Sequence, residues 1–286
     1  MTTSTITLSD GRCVAFDVVG PPAGPAVLLC HAAPGSRVFD PDPAATAAAG
    51  VRLITIDRAG SGGSDPLADG VVPTIPQFAA DAAVVLDSLG VADAVLSGWS
   101  AGGRVAAALA ATRPDLAREL FIIATPAPDE DVPWVPAEQR EAIEVMKADP
   151  PAAVGQMAAM LAAMLDGGVD ATALVASGAA DAEVLAADGD LRARLDEMLV
   201  ASVQQGPAGL AAEIVSYTVA DWGFDPAAIG APTTCIYGAA DDVVSPAHGE
   251  WWAARIPGAR VEVVEGAGHL VVVPAWPGVL SAVGRR

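Results

Sequence analysis

A chain of 286 residues, 52% hydrophobic and with 35 acidic against 15 basic side chains, is long enough to bury one large core. Its net charge of −20 excludes nucleic acid and disfavours anionic membrane surfaces as partners, because both require a basic face. No apolar run reaches the ~18 residues of a membrane-spanning helix; the nearest, 158–165, ends at Asp166-Gly167-Gly168.

Taken in chain order, short β-rich runs alternate with helical stretches. Ile6 to Leu8 and Val14 to Val19 read as a hairpin around Ser9-Asp10-Gly11. Further strands are expected at 26–30, 51–56, 94–96, 120–123, 233–237 and 261–264. Their apolar residues do not alternate with polar ones, which predicts a sheet buried on both faces. Helices are expected over 76–89, over 100–112 and from Ser245-Pro246 onward. The fold class that follows is α/β, a mostly parallel central sheet flanked by helices.

One stretch breaks this rhythm. From 126 to 221 the sequence holds only helical periodicity: Val154, Met157, Leu161, Met164 and Leu165 share one face, as do Leu191, Leu195, Met198 and Leu199. We read it as a helical lid inserted between the sixth and seventh strands, with residues 1–125 and 222–286 forming the core domain. Between Asp129 and Glu197 there are 15 acidic and 4 basic residues, a net of −11, which reads as a solvated outer face. The start, Met1-Thr2-Thr3-Ser4-Thr5, has neither a basic patch nor an apolar stretch, so a cytoplasmic location is expected. Cys13, Cys30 and Cys235 form no C-x-x-C pair, and the last two fall in strand-like runs as small buried thiols.

The chemistry concentrates on a few residues. Gly98-Trp99-Ser100-Ala101-Gly102 lies between a strand and an alanine-rich helix. A serine on so sharp a turn is exposed as a nucleophile, and the turn needs small residues two positions to either side. The following helix directs its N-terminal dipole at that point. Of three histidines, His269 sits just past the last strand in Gly266-Ala267-Gly268-His269 and is the candidate base. His31 reads as a loop brace and His248, at a helix start, as a surface residue. Asp241 follows the strand 233–237 and is the carboxylate to orient His269, with Asp242 as the alternative. Two backbone N–H groups, Ala101 and Ala33, are the candidate oxyanion donors, since Pro34 has no N–H.

Four of these segments together resemble the α/β-hydrolase superfamily, in particular small bacterial serine hydrolases with a helical cap. His31-Ala32-Ala33-Pro34-Gly35 resembles the H-G-x-P-G loop, with Ala32 at the usual glycine. Asp57-Arg58-Ala59-Gly60-Ser61-Gly62-Gly63-Ser64-Asp65 resembles the family's D-R-x-G-x-G-x-S-D loop, which implies a structural role rather than a phosphate site. Gly98 to Gly102 matches the elbow, and Gly238 to Asp241 with Gly268-His269 matches the rest of the triad. The resemblance implies a Ser100, Asp241, His269 enzyme working through an acyl intermediate. The serine argues against dehalogenases and epoxide hydrolases, which carry aspartate there. Ala101 after the serine argues against prolyl aminopeptidases, and Lys147, the only lysine, argues against hydroxynitrile lyases by its place in the lid.

The methionines beyond Met1 all fall in the lid: Met146, Met157, Met160, Met164 and Met198. They read either as helix packing or, with Trp99, Trp134 and Trp222, as a forgiving apolar pocket. The expected reaction is hydrolysis of a small, neutral, hydrophobic carboxylic ester, thioester or lactone, with no cofactor and no metal. Alternatives on the same triad are a carbon–carbon bond hydrolase, a prolyl aminopeptidase or a cofactor-free perhydrolase. A non-catalytic small-molecule receptor on the same fold is the competing class.

Overall fold

The computed structural model describes residues 3–68, 70–168 and 171–284. Eight strands are present: β1 (Ser4–Thr7), β2 (Cys13–Val19), β3 (Ala26–Cys30), β4 (Arg52–Ile56), β5 (Ala94–Trp99), β6 (Ala117–Ile123), β7 (Thr233–Gly238) and β8 (Arg260–Val264). They form one sheet in the order β1-β2-β4-β3-β5-β6-β7-β8. β2 pairs antiparallel with β1 and β4, and every later pair is parallel.

Both faces of this sheet are buried, as the unalternating strands predict. Val27 and Leu29 of β3 enter one apolar cluster while Leu28 and Cys30 enter the other. β5, β6 and β7 divide their side chains in the same way. One face is covered by α2 (Ile75–Ser88), α3 (Ala101–Thr112) and α9 (Pro246–Arg255); the other by α1 (Pro43–Ala49) and α10 (Val272–Ser281). A strand with two buried faces has no polar side to show, which removes the alternation. At the edge, β8 turns Arg260 and Glu262 to solvent, and such charges discourage pairing with another chain.

Two helices are absent from the sequence reading. α1 is only seven residues long, although Asp42 caps it by accepting from the Ala45 N–H at 2.9 Å and Gly50 ends it with φ 62°. α10 contains Pro277, which ordinarily breaks a helix. It is held by burial: Val272, Trp276 and Val279 are fully buried, and Trp276 Nε1 donates to Thr46 Oγ1 of α1 at 2.9 Å.

Between β6 and β7 lie α4 (Arg140–Ala148), α5 (Pro150–Asp166), α6 (Gly178–Ala187), α7 (Leu191–Ser202) and α8 (Ala208–Val219). They are not one layer. α5 and α8 pack on each other through Leu161, Leu210 and Ala211. α7 instead sends Leu191, Leu195, Met198 and Leu199 into the core on the sheet's second face, beside Phe39 and Leu270. α8 is seated on the loop after β4, where a Cβ at Gly209 would overlap the Gly60 carbonyl, so only glycine permits the approach. Among the described residues no helix is long and apolar enough to cross a membrane.

Candidate active site

Parallel pairing brings the loops that follow β3, β5, β7 and β8 to one edge of the sheet, where ligands of such folds bind. Cys30 pairs with Gly98, which sets the 31–35 loop beside the residues that follow β5. Gly238 pairs with Val264, which places Asp241 and His269 on neighbouring loops.

Ser100 stands at φ 54° and ψ −123°, a conformation rare for a residue with a side chain. The turn is tied on both sides: Ser100 N–H donates to Ile123 O at 2.8 Å, and Gly103 N–H donates to Ser100 O at 3.1 Å. A Cβ at Gly98 would overlap the Gly102 backbone, and one at Gly102 would overlap the carbonyls of Cys30 and His31. The two glycines are therefore what allow strand, turn and helix to close so tightly.

His269 Nδ1 lies 2.8 Å from Asp241 Oδ2, and the Asp241 side chain is fully buried. Asp241 Oδ1 accepts from the N–H groups of Val243 and Val244 at 2.9 and 2.8 Å. Burial pushes the Asp241 carboxyl up, but His269 and the two amides outweigh it and leave the pKa below its ordinary value. The carboxylate thus stays ionised and holds a proton on Nδ1, leaving Nε2 as the ring nitrogen that can take one up. Asp242, the alternative, is exposed.

Ser100, His269, Ala33 and Ala101 all line one cavity of about 210 Å³. Ala101 opens α3, where the first-turn N–H groups have no partner inside the helix. Among the described residues, no Asp, Glu, Lys or Arg lines this cavity; its walls include Trp134, Leu174, Val175, Tyr217, Val243 and Val244.

Behind the 31–35 loop, Arg58 Nη1 donates to His31 O and Nη2 to Ala32 O, both at 2.6 Å. Arg58 also pairs with Glu213 of α8. His31 is buried, with Nδ1 2.8 Å from Ala32 O and from Arg58 Nη2. Burial and the Arg58 charge drive its pKa well down, so it is a neutral brace, as its sequence position suggests. The glycine-rich loop after β4 is likewise tied into the sheet. Asp57 accepts from Arg37 N–H and Gly63 N–H at 2.8 Å, and Asp65 accepts from Cys13 N–H at 2.7 Å.

Of the expected pocket residues, Trp99, Met157, Met160, Met164 and Trp222 do not line the Ser100 cavity itself. Trp99 is fully buried beneath the histidine, its Nε1 donating to His269 O at 2.9 Å and its ring against Phe39. It braces the loop and is not among the cavity's lining. Trp222 is drawn away to Trp252, 4.8 Å between ring centroids, and to the buried Arg104 guanidinium 4.7 Å above its ring. Met157 packs between α5 and α8, Met160 is half exposed, and Met164 lines a separate groove. Helical spacing shows which residues share a face but not what that face meets. His248 is not on the surface: it is buried, and its Nδ1 accepts from Ala127 N–H at 3.0 Å.

One residue at the site goes unmarked in the sequence. Asp181 of α6 is buried, and its carboxylate accepts from the N–H groups of Ser177, His269 and Leu270 at 2.8, 3.2 and 2.8 Å. It is one acid among many in an acid-rich segment, so nothing local distinguishes it.

The family model described as alpha/beta hydrolase fold matches residues 25–274. A hydrolase from Pseudomonas aeruginosa PA01 superimposes with a TM-score of 0.72 at 26% identity, covering 99% of this chain and 98% of that one. The enol-lactonase from Burkholderia xenovorans LB400 superimposes with a TM-score of 0.69 at 22% identity and 98% coverage of both. An epoxide hydrolase from Caballeronia sordidicola is 37% identical over 105 residues, which is 36% of this chain and only 32% of that protein. A match across 25–274, from the third strand into the last helix, shows that this chain belongs to the alpha/beta hydrolase fold family.

Proposed function

We propose that this hydrolase cleaves a small, neutral, fairly hydrophobic carboxylic ester, thioester or lactone through an acyl-enzyme on Ser100. The observation that carries the reading is the His269–Asp241 contact of 2.8 Å at a cavity that also contains Ser100, held at φ 54°. Ser100 Oγ attacks the carbonyl carbon while its proton passes to His269 Nε2. The oxyanion meets the N–H groups of Ala33 and Ala101, and collapse expels the alcohol, which takes the proton from His269. Water then attacks the acyl carbon, His269 acts again as base, and the acid leaves with Ser100 regenerated.

Serine also decides between bond types. Attack on a carbonyl leaves an ester that the same base and oxyanion donors can hydrolyse. Attack on an epoxide would leave an ether, which water at this site does not cleave. An ester is thus favoured over the epoxide that the partial relative's name suggests. The uncharged lining supports a neutral substrate. We further propose that residues 126–221 act as a lid over this cavity, since Trp134, Leu174 and Tyr217 reach it from that segment.

The test is hydrolysis of p-nitrophenyl acetate and butyrate by the wild type and by Ser100→Ala. Loss of about 10⁴-fold or more in kcat is expected, with stoichiometric acylation of Ser100 by a slow ester visible in the intact mass. Equal rates for the two proteins would reject the enzyme reading in favour of a binding protein.

A further inference from the structure

The Ser100 cavity shares lining residues with two grooves that differ in character. On one side, Trp134 and Tyr217 are shared with a larger groove that carries Asp129, Glu130, Arg140, Glu144 and Lys147. On the other, Leu174 is shared with a groove of about 190 Å³. That second groove runs past Pro34 between Leu161 and Met164 of α5, Leu199 of α7 and Leu210 of α8. Among the described residues it has no charged lining, and its one hydroxyl, Ser202 Oγ, is already spent on Leu199 O at 2.7 Å. Pro34 follows Ala33, so the groove begins one residue from a proposed oxyanion donor.

We infer that Leu174 sets acyl-chain length: it is the partition between the Ser100 cavity and an apolar groove that takes the far methylenes of the acyl group. The inference rests on the ester reading above. Leu174, Leu165 and Val200 are 42%, 46% and 69% exposed around this groove, an apolar surface that a hydrocarbon would cover. The charged groove would strip hydration from its ions if a hydrocarbon entered, so it suits the alcohol portion. Orientation follows from the two together, with the acyl chain towards Leu174 and the leaving group towards Trp134 and Tyr217. With leucine in place, the branched side chain narrows the passage, so short acyl chains are preferred.

Each methylene that gains burial adds about fourfold in binding. Leu174→Ala should therefore raise the ratio of kcat/KM for p-nitrophenyl octanoate over acetate by at least tenfold, and Leu174→Val should move it in the same direction by less. Adding Met164→Trp to Leu174→Ala, which fills the groove beyond the partition, should cancel that gain. Binding is read separately by calorimetry on Ser100→Ala, where Leu174→Ala should tighten octanoate and leave acetate unchanged. An unchanged octanoate-to-acetate ratio in both Leu174 variants, with esters hydrolysed normally, overturns the inference. If no ester of any length is hydrolysed, the ester reading fails, and the calorimetry still decides whether the groove accepts a chain. No chain-length dependence there overturns the inference on its own.

Discussion

The two sides of the Ser100 cavity are built by different rules. The sheet side consists of loops that short patterns mark in the sequence: the glycines at 98 and 102, the 31–35 segment and the acid at 241. The helical side, from α4 to α8, reaches the same cavity through side chains whose partners are far away in sequence. Asp181 grips the His269 loop across 88 residues, and Glu213 meets Arg58 behind the 31–35 loop. Reactive groups can thus be prescribed by short patterns, whereas the parts that hold and shape them depend on tertiary packing.

The largest effect that would separate the two sides is expected at Asp241. Asp241→Asn should lower kcat/KM by about 10³- to 10⁴-fold, because the amide no longer holds the proton on Nδ1. A pH–rate profile together with thermal melting would check it, the fold being retained. A loss below tenfold would mean that the sheet side does not supply the chemistry.

Asp181→Ala tests whether the helical side does more than enclose substrate. It removes the acceptor for three backbone N–H groups, two of them at the histidine turn. A displacement of the base of the order of 1 Å can cost about 10²-fold, so a ten- to hundredfold fall in kcat with little change in KM is expected from steady-state kinetics. A change in KM alone would reduce Asp181 to a wall of the cavity.

The smallest effect concerns stability in mild acid and contrasts a buried sheet-side histidine with the rest of the molecule. Burial lowers the pKa of His248 to about 4, against 6.5 when free, and Ala127 N–H requires its neutral ring. The unfolded chain therefore binds the proton first as pH falls. The contribution of His248 is fully present above about pH 6.5 and is lost progressively towards pH 4. Urea midpoints measured between pH 7 and 4 should fall more steeply for the wild type than for His248→Gln, whose side-chain oxygen can still accept from Ala127. Parallel slopes would show that His248 is not linked to folding.

What was legible in the sequence divides along the same line. That Ser100, Asp241 and His269 come to one edge of the sheet follows from motif, order and strand position, because a sharp turn and a parallel sheet allow few alternatives. The burial of His248 is not legible, because a polar residue at a helix start usually faces water and only the distant Ala127 amide explains it. The place of Trp222 outside the Ser100 cavity is not legible, because Trp252 and Arg104, neither close in sequence, determine where its ring rests. α10 was missed because its prolines argue locally against a helix that burial nevertheless stabilises.

The contact between Gly60 and Gly209 has a consequence for redesign. Backbone meets backbone there without an intervening side chain, so α8 cannot slide along its seat, and any larger residue at 209 must lift it. The buried Arg58–Glu213 pair ties the same helix to the loop after β4. A graft meant to change substrate range should thus retain residues 207–217 as a fixed socket and exchange the segment before it. A boundary cut through α8 itself would sever the 31–35 loop from its support.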